Sequence, residues 1–114
     1  IFLNDKKIER VKVEKKYEIR CGIFSPEVNA FRETLPNGVE YIAVYNKDGT
    51  MKNTDKYIVP ENHYFFLGDN RDCSKDSRFL SSVGYVHKHN LVGKAQFIFW
   101  SIEKNIFTCR MKSC

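Results

Sequence analysis

The run Gly68-Asp69-Asn70-Arg71-Asp72-Cys73-Ser74-Lys75-Asp76-Ser77-Arg78 follows directly on the apolar stretch His63-Tyr64-Phe65-Phe66-Leu67. Charged side chains alternate there with short polar ones. Neither a strand interior nor a helix core accepts that composition, because buried charges need partners. A loop held by its own ion pairs at the mouth of a sheet does accept it. Loops positioned by a rigid scaffold are where binding and catalytic groups concentrate.

The chain has 114 residues, enough for one domain with a modest core. Hydrophobic residues make up 42%, which excludes a disordered tail. Aromatics reach 14%, mostly Phe and Tyr, and favour strands over helices. A net charge of +5 permits contact with anionic surfaces. No Lys/Arg cluster has the aromatic interleaving of an RNA-binding sheet, so nucleic acid is not an expected partner. Within these residues no apolar run reaches the about 20 residues that span a bilayer and no signal-peptide pattern is seen, which says little because anything before Ile1 is out of view. The first residue is Ile1, so the chain is expected to start inside a longer protein or to have been processed.

The cysteines are Cys21, Cys73, Cys109 and Cys114. None are spaced as C-x-x-C, which argues against a zinc knuckle. Cys109 and Cys114 could bridge locally in an oxidising compartment, and free thiols fit equally well. The disulfide state is open at this level.

Along the chain, Ile1 to Ile8 reads as strand, turn, strand around Asn4-Asp5, residue types that tolerate positive φ. Val11-Lys12-Val13-Glu14 alternates as a half-exposed strand, with Tyr17 to Ile23 as a possible continuation. Ser25-Pro26-Glu27 has the form of a helix start. Pro36-Asn37-Gly38 marks a turn, Val39 to Tyr45 a strand, and Asn46 to Gly49 a second turn. Tyr57-Ile58-Val59-Pro60, Tyr64-Phe65-Phe66-Leu67 and Val83-Gly84-Tyr85-Val86 read as core strands. Leu91 to Trp100 reads as a long one, apolar on both faces and therefore central. The tail from Glu103 to Cys114 is basic and reads as an edge or a frayed end.

The polar loop resembles the last conserved box of bacterial type I signal peptidases, membrane-bound Ser/Lys endopeptidases that remove signal peptides. The flanking Tyr57 to Pro60, Tyr64 to Gly68, Val83 to Val86 and Asn90-Leu91-Val92-Gly93-Lys94-Ala95 resemble that family's neighbouring strands. Glu33-Thr34-Leu35-Pro36-Asn37-Gly38 resembles a stretch of its inserted domain. The strong match covers residues 57 to 101, and the first part matches more loosely. Cys73 departs from the family's usual Asn; the departure should be tolerated, since backbone shapes that position more than side chain does. The family's nucleophilic Ser and general-base Lys lie upstream of this box, and nothing in this chain matches them.

The resemblance implies a mainly β fold of antiparallel sheets: part of the signal-peptidase catalytic core with an inserted β-ribbon domain. Residues 1–55 would be the ribbon, 56–102 the core strands with the loop, and 103–114 a tail. A Ser/Lys enzyme needs its Lys neutral, which burial favours, and aimed. By resemblance, Ser74 would orient that Lys, and Asp76 and Arg78 would pair beneath it. Asp69, Asn70, Arg71 and Asp72 would stiffen the loop, and Gly68 would let the backbone turn. The implied partners are signal peptides of exported preproteins, bound as an added strand, and the membrane surface at the outer face of the cytoplasmic membrane. No cofactor or metal is implied. The chain alone should be inactive. Loss of cover over Phe97 to Trp100 would leave it oligomeric or strand-swapped. The competing reading is a non-enzymatic β-domain that binds extended peptides or the bilayer through Lys6, Lys7, Lys12, Lys15 and Lys16, whose simpler role is a solvated strand face.

Other groupings carry less. Ser77, Asp76 and His87 or His89 can be assembled into a triad only by closeness in sequence, which does not define one. His63, His87, His89 and Cys73 match no closed zinc spacing. Trp100 and its Phe neighbours read as core packing before they read as a membrane face.

Overall fold

A computed structural model of the chain describes residues 1–49 and 53–96. Asn4 and Asp5 take φ of 50° and 62°, the left-handed pair that a two-residue hairpin turn requires. They join β1 (Phe2–Leu3) to β2 (Lys6–Lys7), with Phe2 opposite Lys7. The chain then enters an antiparallel sheet of β3 (Glu9–Val13), β4 (Val28–Thr34) and β5 (Glu40–Asn46), in that spatial order. β4 is the central strand. It pairs with β3 from Val13↔Ala30 to Glu9↔Thr34, and with β5 from Val28↔Asn46 to Thr34↔Glu40.

Ser25-Pro26-Glu27 starts no helix; strand β4 begins at Val28. Proline suits an extended lead-in as well as a first helical turn. The residues after it then find ladder partners on both sides, and tertiary pairing outweighs the local start signal. Tyr17 to Ile23 does not continue β3. The chain leaves the sheet after Val13 and closes a turn in which Cys21 and Phe24 exchange backbone hydrogen bonds of 2.8 and 3.1 Å. The turn at Pro36-Asn37-Gly38 forms as read: Gly38 sits at φ 82° and donates to the Leu35 carbonyl at 2.8 Å.

The second half is less regular than its apolar composition implied. β6 (His63–Tyr64) pairs with β7 (Val86–His87), and a short 3-10 helix follows at Lys88–Asn90. Tyr57 to Pro60 and Phe65 to Leu67 lie outside strands. So do Val83 to Tyr85, because the N–H groups of Ser82, Val83 and Gly84 all turn back on the Phe79 carbonyl at 3.0–3.1 Å. Leu91 to Gln96 forms no strand, and its residues are exposed. Phe97 to Trp100, the expected centre of the core, and the tail with Cys109 and Cys114 lie outside the described residues.

The fold is mainly β and antiparallel. Its apolar interior is thin: among the described residues the buried apolar side chains are Ile8, Ala30, Ala43 and Val44. Beside them lie four buried polar ones, Glu33, Arg71, Asp76 and Ser77. Three of those four belong to the polar loop.

Candidate active-site loop

The loop is anchored first on the sheet. Residues 69–71 run parallel to β5 along the edge away from β4. Val44 donates to the Asp69 carbonyl at 2.8 Å, and Arg71 donates to the Val44 carbonyl at 2.9 Å. The Asp72 carboxylate continues the contact by accepting the Asn46 N–H at 2.8 Å. Asp69 thus contributes its backbone, while its side chain is exposed.

The second anchor is Arg71. Phe31, Glu33, Tyr41, Ala43 and Tyr45 share one face of the sheet by register. The Arg71 guanidinium lies 5.7 and 5.6 Å from the Tyr41 and Tyr45 ring centres, with the small Ala43 between the two rings in sequence. Its Nη2 donates to Glu33 Oε2 at 2.7 Å and its Nη1 to the Tyr45 hydroxyl at 3.2 Å. Tyr45 in turn donates to Glu33 Oε1 at 2.5 Å. Both charges are almost fully buried, with side-chain exposures of 4% and 2%. Burial, reinforced by the Glu33 hydrogen bond, pushes the Tyr45 hydroxyl pKa up to about 12. For Arg71, burial works against the charge, but the Tyr41, Tyr45 and Glu33 contacts prevail and raise its pKa.

The third anchor closes the base of the loop. Ser77, wholly buried, donates its N–H to the Phe66 carbonyl at 3.1 Å and accepts the Phe66 N–H on Oγ at 2.9 Å. Asp76 takes the Arg78 fork on both oxygens, Nε at 2.8 Å and Nη2 at 2.9 Å, and accepts the Gly68 N–H at 2.8 Å. The Arg78 guanidinium also donates to the Arg71 carbonyl. Burial alone would raise the Asp76 pKa; the Arg78 fork and the backbone donors of Gly68 and Arg78 outweigh it and hold the carboxyl below its ordinary value. Bidentate pairing of this kind fixes orientation as well as charge.

Ser74 sits above this base. Its N–H donates to the Asn70 carbonyl at 2.9 Å. Its Oγ packs against Gly68 so tightly that a Cβ on residue 68 would lie 2.0 Å from it. Among the described residues no side-chain hydrogen bond engages the Ser74 hydroxyl, which is half-buried.

Cys73, one residue before, forms a disulfide with Cys21 across a Cα–Cα distance of 5.7 Å, a separation normal for a bridge. This corrects the view that the side chain at 73 is of little consequence: it ties the loop covalently to the turn after β3. The pairing was not legible because its two cysteines are 52 residues apart. Glu33 was missed as a site residue for the same kind of reason, since nothing local marks the one carboxylate in β4 that turns inward. Ser77 was visible in the motif but was weighed only as a nucleophile.

The histidines fall elsewhere. His63 faces His87 across β6 and β7, and His87 meets His89, each pair edge to face at 4.9 and 4.7 Å. Among the described residues no group of three or more His, Cys, Asp or Glu is arranged to hold a metal ion.

Sequence comparison then decides the family. The profile described as "Signal peptidase, peptidase S26" matches residues 1–100. The chain belongs to the signal peptidase family. Among curated relatives, the "Signal peptidase I" of Rickettsia akari is 45% identical over 114 residues, covering 92% of this chain and 40% of that protein. The "Signal peptidase I" of Rickettsia conorii is 46% identical over 112 residues, covering 90% and 39%. This chain thus spans about two-fifths of the signal peptidases it resembles. No solved structure matches it. No helix among the described residues is long and apolar enough to cross a membrane.

Proposed function

We propose that the full-length protein is a type I signal peptidase, a membrane-bound Ser/Lys endopeptidase that removes signal peptides from exported preproteins, and that residues 1–114 supply the brace of its active site. The observation that carries this is the loop itself: in a chain of the signal peptidase family, Ser74 presents a hydroxyl with no described partner above the buried Asp76–Arg78 pair. The relatives are named signal peptidase I.

In this reading Ser74 Oγ hydrogen-bonds the amine of the general-base lysine and aims it at the nucleophilic serine. A lysine can act as base only when neutral, and a dry setting favours that form. Asp76 and Arg78 neutralise each other below the site and hold the Ser74 segment in place. Gly68 lets Ser74 approach the backbone. Asp69, Asn70, Arg71 and Asp72 fasten the loop to the sheet. The division of the chain at residues 55 and 102 into ribbon, core and tail belongs to the same proposal.

The substrate would lie as an extended strand against the core sheet. The Cys21–Cys73 bridge supports a location in an oxidising compartment, which fits the outer face of the cytoplasmic membrane. The test is cleavage of a preprotein by the full-length protein and by residues 1–114 alone. Cleavage by the first, lost on Ser74→Ala or Asp76→Asn, is the expected result. Cleavage by residues 1–114 alone would overturn the division of labour.

A further inference from the structure

We propose that the Cys21–Cys73 disulfide is a positioning element for Ser74, so that the thiol–disulfide state of this pair sets how well the site works. The inference rests on the reading in which Ser74 orients the general base.

The loop is pinned on two sides of Ser74. Before it, Arg71 and Asp72 are bonded to β5 through Val44 and Asn46. After it, Asp76 and Ser77 are bonded to Gly68 and Phe66. Between these anchors lie residues 73–75, and Lys75 is exposed. Ser74 keeps one backbone bond, to the Asn70 carbonyl. Its side chain lies over Gly68, where a Cβ would collide with it. The one covalent constraint on the span is the bridge from Cys73 to Cys21. Cys21 lies in a turn that it and Phe24 close with two backbone hydrogen bonds, so the bridge ties residue 73 to that turn. Cutting the bridge therefore frees the residue next to Ser74 while leaving the Asp76–Arg78 and Arg71–Glu33 pairs intact.

Both cysteines are only partly buried, so a thiolate can reach the bridge. Reduction needs a dithiol donor. One of its thiolates attacks a sulfur, the S–S bond breaks, and a mixed disulfide forms. Its second thiolate then displaces the protein sulfur. Two electrons and two protons pass to Cys21 and Cys73, and the donor leaves as a disulfide. A disulfide donor reverses the sequence.

The test uses the full-length protein with Cys109→Ser and Cys114→Ser as background, assayed on a preprotein before and after dithiothreitol. The expected result is a fall in kcat of tenfold or more with KM within twofold. The pH–rate profile should also shift on its acidic limb, where the general base titrates. Oxidised glutathione should restore both. Cys73→Ala and Cys21→Ala should each reproduce the reduced state and no longer respond to reductant. Unchanged kcat and pH profile on reduction would overturn the inference while leaving the proposed function standing. So would a loss of activity that only tracks loss of folded protein by circular dichroism, with the pH profile unmoved. Failure of the oxidised protein to process any preprotein would overturn both.

Discussion

A methyl group on residue 68 would collide with Ser74 Oγ, 2.0 Å from where the carbon would sit. Either Ser74 moves or the backbone at residue 68 does. Misplacement of an orienting group by about 1 Å can lower a rate about 100-fold, so Gly68→Ala in the full-length protein should reduce kcat by that order with little change in KM, measured on a preprotein substrate. Asp76 makes a separate prediction. Its carboxyl is held below the ordinary value in the folded chain, so the unfolded chain binds protons first as pH falls. The stability it contributes is fully present above the unfolded carboxylate value and drains away as pH drops through the folded one. Urea midpoints of the chain should therefore decline on the acid side, and Asp76→Asn should flatten that limb. These local features were legible. Asp76 and Arg78 stand two residues apart inside one motif, and the fork between them forms. Gly68 stands where an apolar run meets a polar one. The stacking of the histidines was not legible, because it depends on the pairing of β6 with β7.

Among elements, the contact between β4 and the loop dominates. The Arg71–Glu33 pair is buried, and removing one partner strands the other charge at a cost of about 3–5 kcal/mol. Glu33→Ala or Arg71→Ala should destabilise the chain by that order. The Glu33→Leu, Arg71→Met double variant should recover much of the loss, since apolar replacement of a buried pair is often neutral; a double-mutant cycle in urea measures it. Tyr45 adds an alkaline signature. Its pKa, raised to about 12, means the stability it brings is present below its unfolded value near 10 and is lost as pH rises through about 12. Tyr45→Phe should flatten that limb in alkaline unfolding. None of this network was readable beforehand. Glu33 is 38 residues from Arg71, and its inward face follows from the register of β4 with β5. That strand was itself misread near its start, because Ser25-Pro26 carries a helix signal that only the two flanking strands override.

At the scale of the whole molecule, the thin apolar interior among the described residues is offset by polar pairs and the Cys21–Cys73 cross-link. A bridge closing a span of 52 residues is worth about 4 kcal/mol in the chain-entropy account. Reductant should therefore lower the urea midpoint of residues 1–114 markedly, read by circular dichroism with and without dithiothreitol. The second expectation at this scale is association: sedimentation should find the isolated chain in oligomers, and a stable monomer would count against it. The β class was visible from aromatic content and turn spacing. The weakness of the strands after residue 56 was not, because an apolar run states that a segment is covered, not which partner covers it.

The stretch from Asp69 to Asp72 has a consequence beyond the site it serves. By lying along β5 it occupies both backbone groups of Val44, which would otherwise face outward from the sheet as an open template. An uncovered strand of that kind recruits strands from neighbouring molecules. Any change that lifts the loop would thus expose a seed for aggregation, so that a defect in local geometry would show itself as loss of folded protein.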